Sequence, residues 1–171
     1  MKQLLFISFL LISETTMAQQ TTFKGAFLEK WNNSRDYLIE VAKAMPEENY
    51  DYKPTPKQMS FKEQLIHIQG NIMWLDRGYF SKLDMTGEPE DYDRLDKGEF
   101  IQSLRNTFND AYRSINQTPE SELKETVKFF AGPKSKLQIM NLMQDHVTHH
   151  RGQLLVYLNL KNITPPKFSG W

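Results

Sequence analysis

Residues 135–161 read SKLQIMNLMQDHVTHHRGQLLVYLNLK. Within them Ile139, Met143, His146, His150, Gln153 and Tyr157 recur at alternating four and three residues, the repeat of one helical stripe. Ser135 is placed to cap the start of that helix, and Pro165 and Pro166 stop anything beyond about Lys161. The stretch therefore predicts one long helix. It also predicts that two imidazoles, His146 and His150, stand on its inward seam where apolar side chains would otherwise be.

Three shorter segments upstream carry the same period. Phe27, Trp31, Ser34, Leu38, Val41 and Met45 predict a first helix from about residue 22 to 45, ended by Pro46. Residues 47–56 are polar, include Pro54 and Pro56, and read as a loop. Ser60 with Glu63 fits a capping box, in which the serine oxygen accepts from the third helical amide and the glutamate reaches back. It opens a second helix with the stripe Phe61, Leu65, Ile68, Ile72, Leu75 and Tyr79. Residues 81–96 form a charged, polar crossover. Asp96 and Glu99 repeat the capping pattern before a third stripe of Phe100, Leu104, Thr107, Ala111 and Ile115. Between 116 and 134 the pattern weakens, with a short extended piece expected at 126–130 and a turn at Gly132-Pro133. Four amphipathic segments without a convincing strand predict an all-α four-helix bundle with long crossover connections. Two long connections free the helices from simple up-down order.

The chain of 171 residues suits one domain. Its 21 basic and 21 acidic residues balance, which argues against a nucleic-acid partner, since that needs a basic footprint. With no cysteine, disulfides, thiolate metal ligands and thiol nucleophiles are excluded. At the N-terminus, Lys2, an apolar run from Leu4 to Ile12 and the small residues around Thr16-Met17-Ala18 predict a signal peptide over residues 1–18. The mature domain would be 19–171, exported to the periplasm or beyond. The apolar run is about half the ~20 residues that a membrane span requires, and no later segment could cross a membrane. Nothing in the sequence opposes a homodimer.

Three of the four histidines lie in the last helix. His146 and His150, four apart, are separated by only about 40° on the helix surface and can converge on one point. Two polar rings at core positions are costly unless something satisfies them, and a metal ion would do so directly. The zinc-protease pattern is excluded because Val147 stands where that motif has glutamate. His149 lies about 100° from His150 and faces elsewhere. His67, mid-helix between Ile66 and Ile68, is the remaining histidine and the candidate third ligand. Glu63 and Asn71 lie one turn to either side of it. Glu63 is an alternative ligand already committed to the capping box, and Asp145 points away. A hydrogen-bonded core histidine would account for His67, and chance spacing for the pair, equally well on these grounds alone.

The run Asp145 to Gln153 resembles the H-x-x-x-H-R-G-Q signature of the DinB-like superfamily. Met45-Pro46-Glu47-Glu48 with Lys53-Pro54, the segment from Ser60 to Trp74 around His67, and the ending from Leu158 to Pro166 resemble that family in the same order. The resemblance implies a four-helix bundle of non-sequential order and one divalent metal ion on His67, His146 and His150. It also implies a metal-dependent hydrolase or a transferase, because some relatives are thiol S-transferases or isomerases and others are described as metal-dependent hydrolases. The family name refers to DNA-damage induction rather than DNA binding. Three neutral imidazoles would leave a fourth position for water or for an unidentified small-molecule substrate. All-nitrogen ligation suits zinc first, with nickel, cobalt or iron as alternatives. Such an ion brings the pKa of a bound water or thiol near neutrality. Gln153, one turn beyond His150, and Asn71 would support the ligands or touch substrate. Arg151 is expected in a structural ion pair or, less readily, against an acidic substrate group, Gly152 at a close helix approach, and Trp74 and Tyr157 either beside the pocket or in the core. The contrasting reading is a non-catalytic metal-binding or interaction domain of the cell envelope; a fourth protein ligand closing the site would favour it.

Overall fold

The structure is a computed structural model that describes residues 22–82, 91–92 and 94–170. The expected signal peptide and part of the crossover at 81–96 lie outside the described residues. Four helices dominate: α1 (Phe23–Ala44), α2 (Phe61–Tyr79), α3 (Lys97–Gln117) and α4 (Lys136–Leu160). Their ends follow from local chemistry. The Thr22 side chain accepts from the Gly25 amide, and capping boxes open the other three, Ser60 with Glu63, Asp96 with Glu99 and Ser135 with Gln138. Each satisfies amides that the first helical turn leaves without a carbonyl.

The stripes read from the sequence of α1 and α3 are buried throughout, as is that of α2 except for half-buried Tyr79. Trp31, Phe61, Phe100 and Phe108 are the largest fully enclosed side chains. Around the bundle, α1 packs on α3 and α4, and α2 packs on the same two. Contacts such as Trp31 to Phe108 and Lys97 to Met45 make α1 and α3 antiparallel. Gln64 to Gln153 and His67 to His146 do the same for α2 and α4. Gln69 to Thr107 and Asp76 to Ser114 make α2 and α3 parallel. The end of α2 and the start of α3 therefore lie at opposite ends of the bundle, which calls for a long connection between them.

The segment between α3 and α4 holds the features that the weakened pattern leaves undefined. A 3-10 turn covers Glu120–Lys124, and Thr126–Val127 pairs antiparallel with Lys134–Ser135. The extended piece expected at 126–130 is thus confined to its first two residues. Gly132 closes the hairpin at a φ of 89°, a conformation that a side chain would strain. Phe129 from this hairpin packs under Trp74 and Tyr79 of α2.

In α4 the buried seam differs in part from the expected one. Ile139, Met143 and Tyr157 are buried as expected, Met140, Val147, Arg151, Leu154 and Leu158 join them, and His146, His150 and Gln153 are only partly buried along the flank. The imidazoles edge the core rather than replace part of it. Arg151, 6% exposed, sits in the core with its guanidinium carbon 4.8 Å from the centre of the Tyr37 ring. A cation over an aromatic face replaces the expected ion pair. Gly152 faces outward with open space where a side chain would stand, so no helix approaches there.

Candidate metal centre

Two antiparallel helices bring the three predicted histidines together. One ring nitrogen from each of His67, His146 and His150 falls within 4.8 Å of the others. The arrangement follows from helical geometry: His146 and His150 are one turn apart on α4, and His67 meets them across the seam from α2. His67 Nε2 and His146 Nε2 are 3.1 Å apart. Ligand nitrogens ~2.0–2.1 Å from a tetrahedral ion stand about 3.3 Å from each other, so the pair is spaced for a shared ion. The ring centres are 4.4–4.9 Å apart, with planes at 50° to 73°, so the nitrogens rather than the ring faces converge. Among the described residues this is the one cluster of its kind.

The electrostatics suit ligation. Burial brings His146 down to about 4, with help from the neighbouring His150, His67 and His149. His150 falls to about 4 for the same first reason, followed by His67 and His149. Both rings are neutral near pH 7, the state in which imidazole offers a lone pair to a metal. His67 is exposed. It lies at the edge of a shallow cavity of about 520 Å³, lined in part by Lys53, Lys57, Met59, Glu63 and Ile66. The triad therefore has one side closed by the bundle and one side open.

A hydrogen-bonded layer backs His150. Its Nδ1 lies 2.6 Å from Gln64 Oε1. Gln64 Nε2 donates to Gln153 Oε1 at 2.7 Å and to the Tyr157 hydroxyl at 3.4 Å. Tyr157 donates to the Met59 carbonyl at 3.0 Å. Gln153 Nε2 lies 2.9 Å from Nε2 of exposed His149. Gln153 is thus one step removed from the triad, beside Gln64 rather than against a ligand. Gln64 was not singled out in the sequence, yet the signal is there: it stands three residues after Phe61 and four before Ile68, a polar side chain on an apolar stripe.

The other candidates fall outside the cluster. Glu63 bonds the Ser60 amide and Lys53. Asn71 is half-buried, with its side-chain oxygen lacking a hydrogen-bond partner. Asp145 is exposed and has no place in the cluster. Trp74 is 45% exposed, stacks on Phe129 and has Phe130 tilted beside it, whereas Tyr157 is buried beneath Gln64.

The DinB family model matches residues 17–170. The chain belongs to the DinB family. Crystal structures of two DinB-like proteins share its fold. One from Bacillus cereus is 20% identical, with a TM-score of 0.72 over 87% of this chain and 99% of that one. Another, from Bacillus subtilis, is 18% identical, with a TM-score of 0.68 over 84% of this chain and 96% of that one. No curated protein matches the chain. The expected membership and all-α bundle are therefore established for this DinB chain, and its three histidines could hold a metal ion.

Proposed function

We propose that this DinB chain holds one divalent metal ion on His67, His146 and His150 and works as a metal-dependent hydrolase or transferase on a small molecule. The observation that carries the reading is the convergence of three ring nitrogens within 4.8 Å, two of them Nε2 atoms 3.1 Å apart, beside an open cavity. Three neutral nitrogen donors suit zinc first, then nickel, cobalt or iron. When bound, the ion supplies Lewis acidity, lowering the pKa of a water or thiol at its open position.

The protein's own contribution is placement. His146 and His150 are held on one turn of α4 and kept neutral by partial burial. Gln64 holds His150 from behind. The cavity beside His67 offers Met59 and Ile66 for apolar contact, with Lys57 at its lining; Glu63 is engaged by Lys53 at 2.8 Å. The site can receive substrate from that side while the bundle excludes water from the other. We also propose that residues 1–18 direct export. The chain expressed in full should appear outside the cytosol with an N-terminus near Gln19, and an intact N-terminus in the cytosolic fraction would overturn this.

The experiment for the metal reading is elemental analysis of the purified mature chain, followed by melting with and without a chelator. One equivalent of a divalent metal and a chelator-sensitive melting temperature are expected. Metal-free protein that gains nothing from added zinc, cobalt, nickel or iron would contradict it. A bound ion with a fourth protein ligand would make the site structural and the protein a metal-binding domain rather than an enzyme.

A further inference from the structure

The geometry points to Gln64 and Tyr157 as positioning residues that hold His150 with its proton on Nδ1 and so leave Nε2 free to ligate. This rests on the metal reading above, but its first step concerns this chain's hydrogen bonds alone. Histidine Nδ1 and the Gln64 amide meet at 2.6 Å, and the direction of that bond is not settled by the pair itself. A glutamine can present either its oxygen or its nitrogen, and a neutral imidazole can carry its proton on either nitrogen. Turning Gln64 over, and Gln153 with it, would give a second arrangement equally consistent along the Gln64–Gln153–His149 branch.

Tyr157 breaks that symmetry. Its single hydroxyl hydrogen goes to the Met59 carbonyl, 3.0 Å away, which can only accept. Toward Gln64, 3.4 Å away, the hydroxyl therefore presents a lone pair. Gln64 must turn its NH2 to Tyr157 and, by the same orientation, to Gln153 Oε1 at 2.7 Å. Its carbonyl oxygen is left facing His150, so His150 Nδ1 is the donor. The order fixed from the backbone outward is Met59 carbonyl, Tyr157 hydroxyl, Gln64 amide, His150 ring. Every member but the ring is enclosed enough to hold its place: Gln64 and Tyr157 are each 2% exposed, and Met59 C=O is backbone. A metal-ligating imidazole whose other nitrogen donates to a fixed acceptor is held in the right tautomer and made more basic.

The test uses the mature full domain and two readouts. The first is the tautomer of His150 in metal-free protein at pH 7.5, from the two-bond 1H–15N couplings of its ring. The second is zinc affinity by competition titration. In wild type the proton should sit on Nδ1. Gln64→Leu should release the ring to a mixture of tautomers and weaken zinc about 10–100-fold, the usual cost of losing such a partner. Gln64→Glu keeps an acceptor for His150 and should retain both the tautomer and most of the affinity. Tyr157→Phe removes only the direction of the chain and should fall between the two. A wild-type proton on Nε2, full zinc affinity in Gln64→Leu, or a Gln64→Glu protein as weak as Gln64→Leu would each overturn the assignment; the last would mean that Gln64 acts by packing. Circular dichroism of each variant confirms folding, and a variant that fails to fold leaves the wild-type tautomer as the deciding measurement. Wild-type protein that binds no zinc while its His150 proton sits on Nδ1 would sink the metal reading and leave the positioning chain standing.

Discussion

Between α1 and α3 the antiparallel contact has an apolar centre, edged by the Arg35–Asn109 and Asp36–Arg105 pairs, and is closed at both ends. Trp31 lies 4.7 Å from Phe108, centre to centre, and its indole nitrogen donates to the Phe108 carbonyl at 3.0 Å. Lys24, at the start of α1, donates to the Thr118 carbonyl just past the end of α3. Lys97, at the start of α3, donates to the Lys43 and Met45 carbonyls where α1 ends. Each helix thus supplies the cation that the other's C-terminus favours. Between α2 and α4 the same antiparallel geometry carries His67, His146, His150, Gln64 and Gln153 instead. The first seam uses helix packing for stability. The second gives up apolar contact along one flank and gains a constellation of nitrogens whose value appears only when a ligand is bound.

Breaking the first seam should produce the largest effect. Trp31→Ala should cost about 3–5 kcal/mol, as large-to-small core changes do, and lower the melting temperature by roughly ten degrees. Zinc stoichiometry of the protein that remains folded should be unchanged. A Trp31→Ala protein that melts normally but no longer takes zinc would mean that the two seams are not separable.

The second seam should respond in the opposite sense. At a hundredfold excess over Kd, an ion bound only to the folded state stabilises it by about 2.7 kcal/mol, worth on the order of 5–10 °C in a domain of this size. His146→Ala should abolish that gain while leaving the metal-free melting temperature within a few degrees of wild type. A large loss in the metal-free variant would place His146 in the structural core after all.

A smaller effect separates the seams by pH in metal-free protein. His146 and His150 sit at about 4 when folded, against an ordinary 6.5. The unfolded chain therefore takes up their protons first, so their stabilising contribution is complete above about pH 6.5 and is lost as pH falls towards 4. The double variant His146→Ala/His150→Ala should flatten that acid limb in a melting series from pH 4 to 8; an unchanged limb would assign it to other groups. Along α2, Asp76 has the reverse sign. Burial, partly offset by the Ser114 hydroxyl, raises its carboxyl from 3.8 to about 6, and one of its oxygens has no hydrogen-bond partner. Its folded state is favoured at low pH and loses ground as pH rises through about 6. Asp76→Asn should raise the melting temperature by a few degrees at pH 7.5 and by much less at pH 4. Equal gains at both ends would rule out the buried charge as their source.

The fold was legible where local chemistry and periodicity agree. Ser60 with Glu63, Asp96 with Glu99 and Ser135 mark three helix starts, and the stripes of α1 and α3 are buried as spaced. The phase of α4 was legible only in part: Ile139, Met143 and Tyr157 are buried as spaced, but two stripes share Met143. One passes through His146, His150 and Gln153, the other through Val147, Arg151 and Leu154. Hydropathy does not select the stripe with an arginine in it, and the buried arginine is met by the Tyr37 ring of α1, which spacing along α4 cannot show. The same limit hid Gln64. Its partners, His150, Gln153 and Tyr157, are more than eighty residues away in sequence, and helix pairing rather than spacing brings them together. The parallel course of α2 and α3 likewise depends on packing, although the length of the crossover hinted at it.

The most direct test of the central claim is a zinc titration of chelator-treated mature protein at pH 7.5, run on wild type and on four single variants. Wild type should bind one equivalent. His67→Ala, His146→Ala and His150→Ala should each lose at least two orders of magnitude in affinity, while His149→Ala, whose ring lies outside the cluster, should bind nearly as wild type does. Zinc binding that survives all three triad substitutions, or that disappears in His149→Ala alone, would contradict the account.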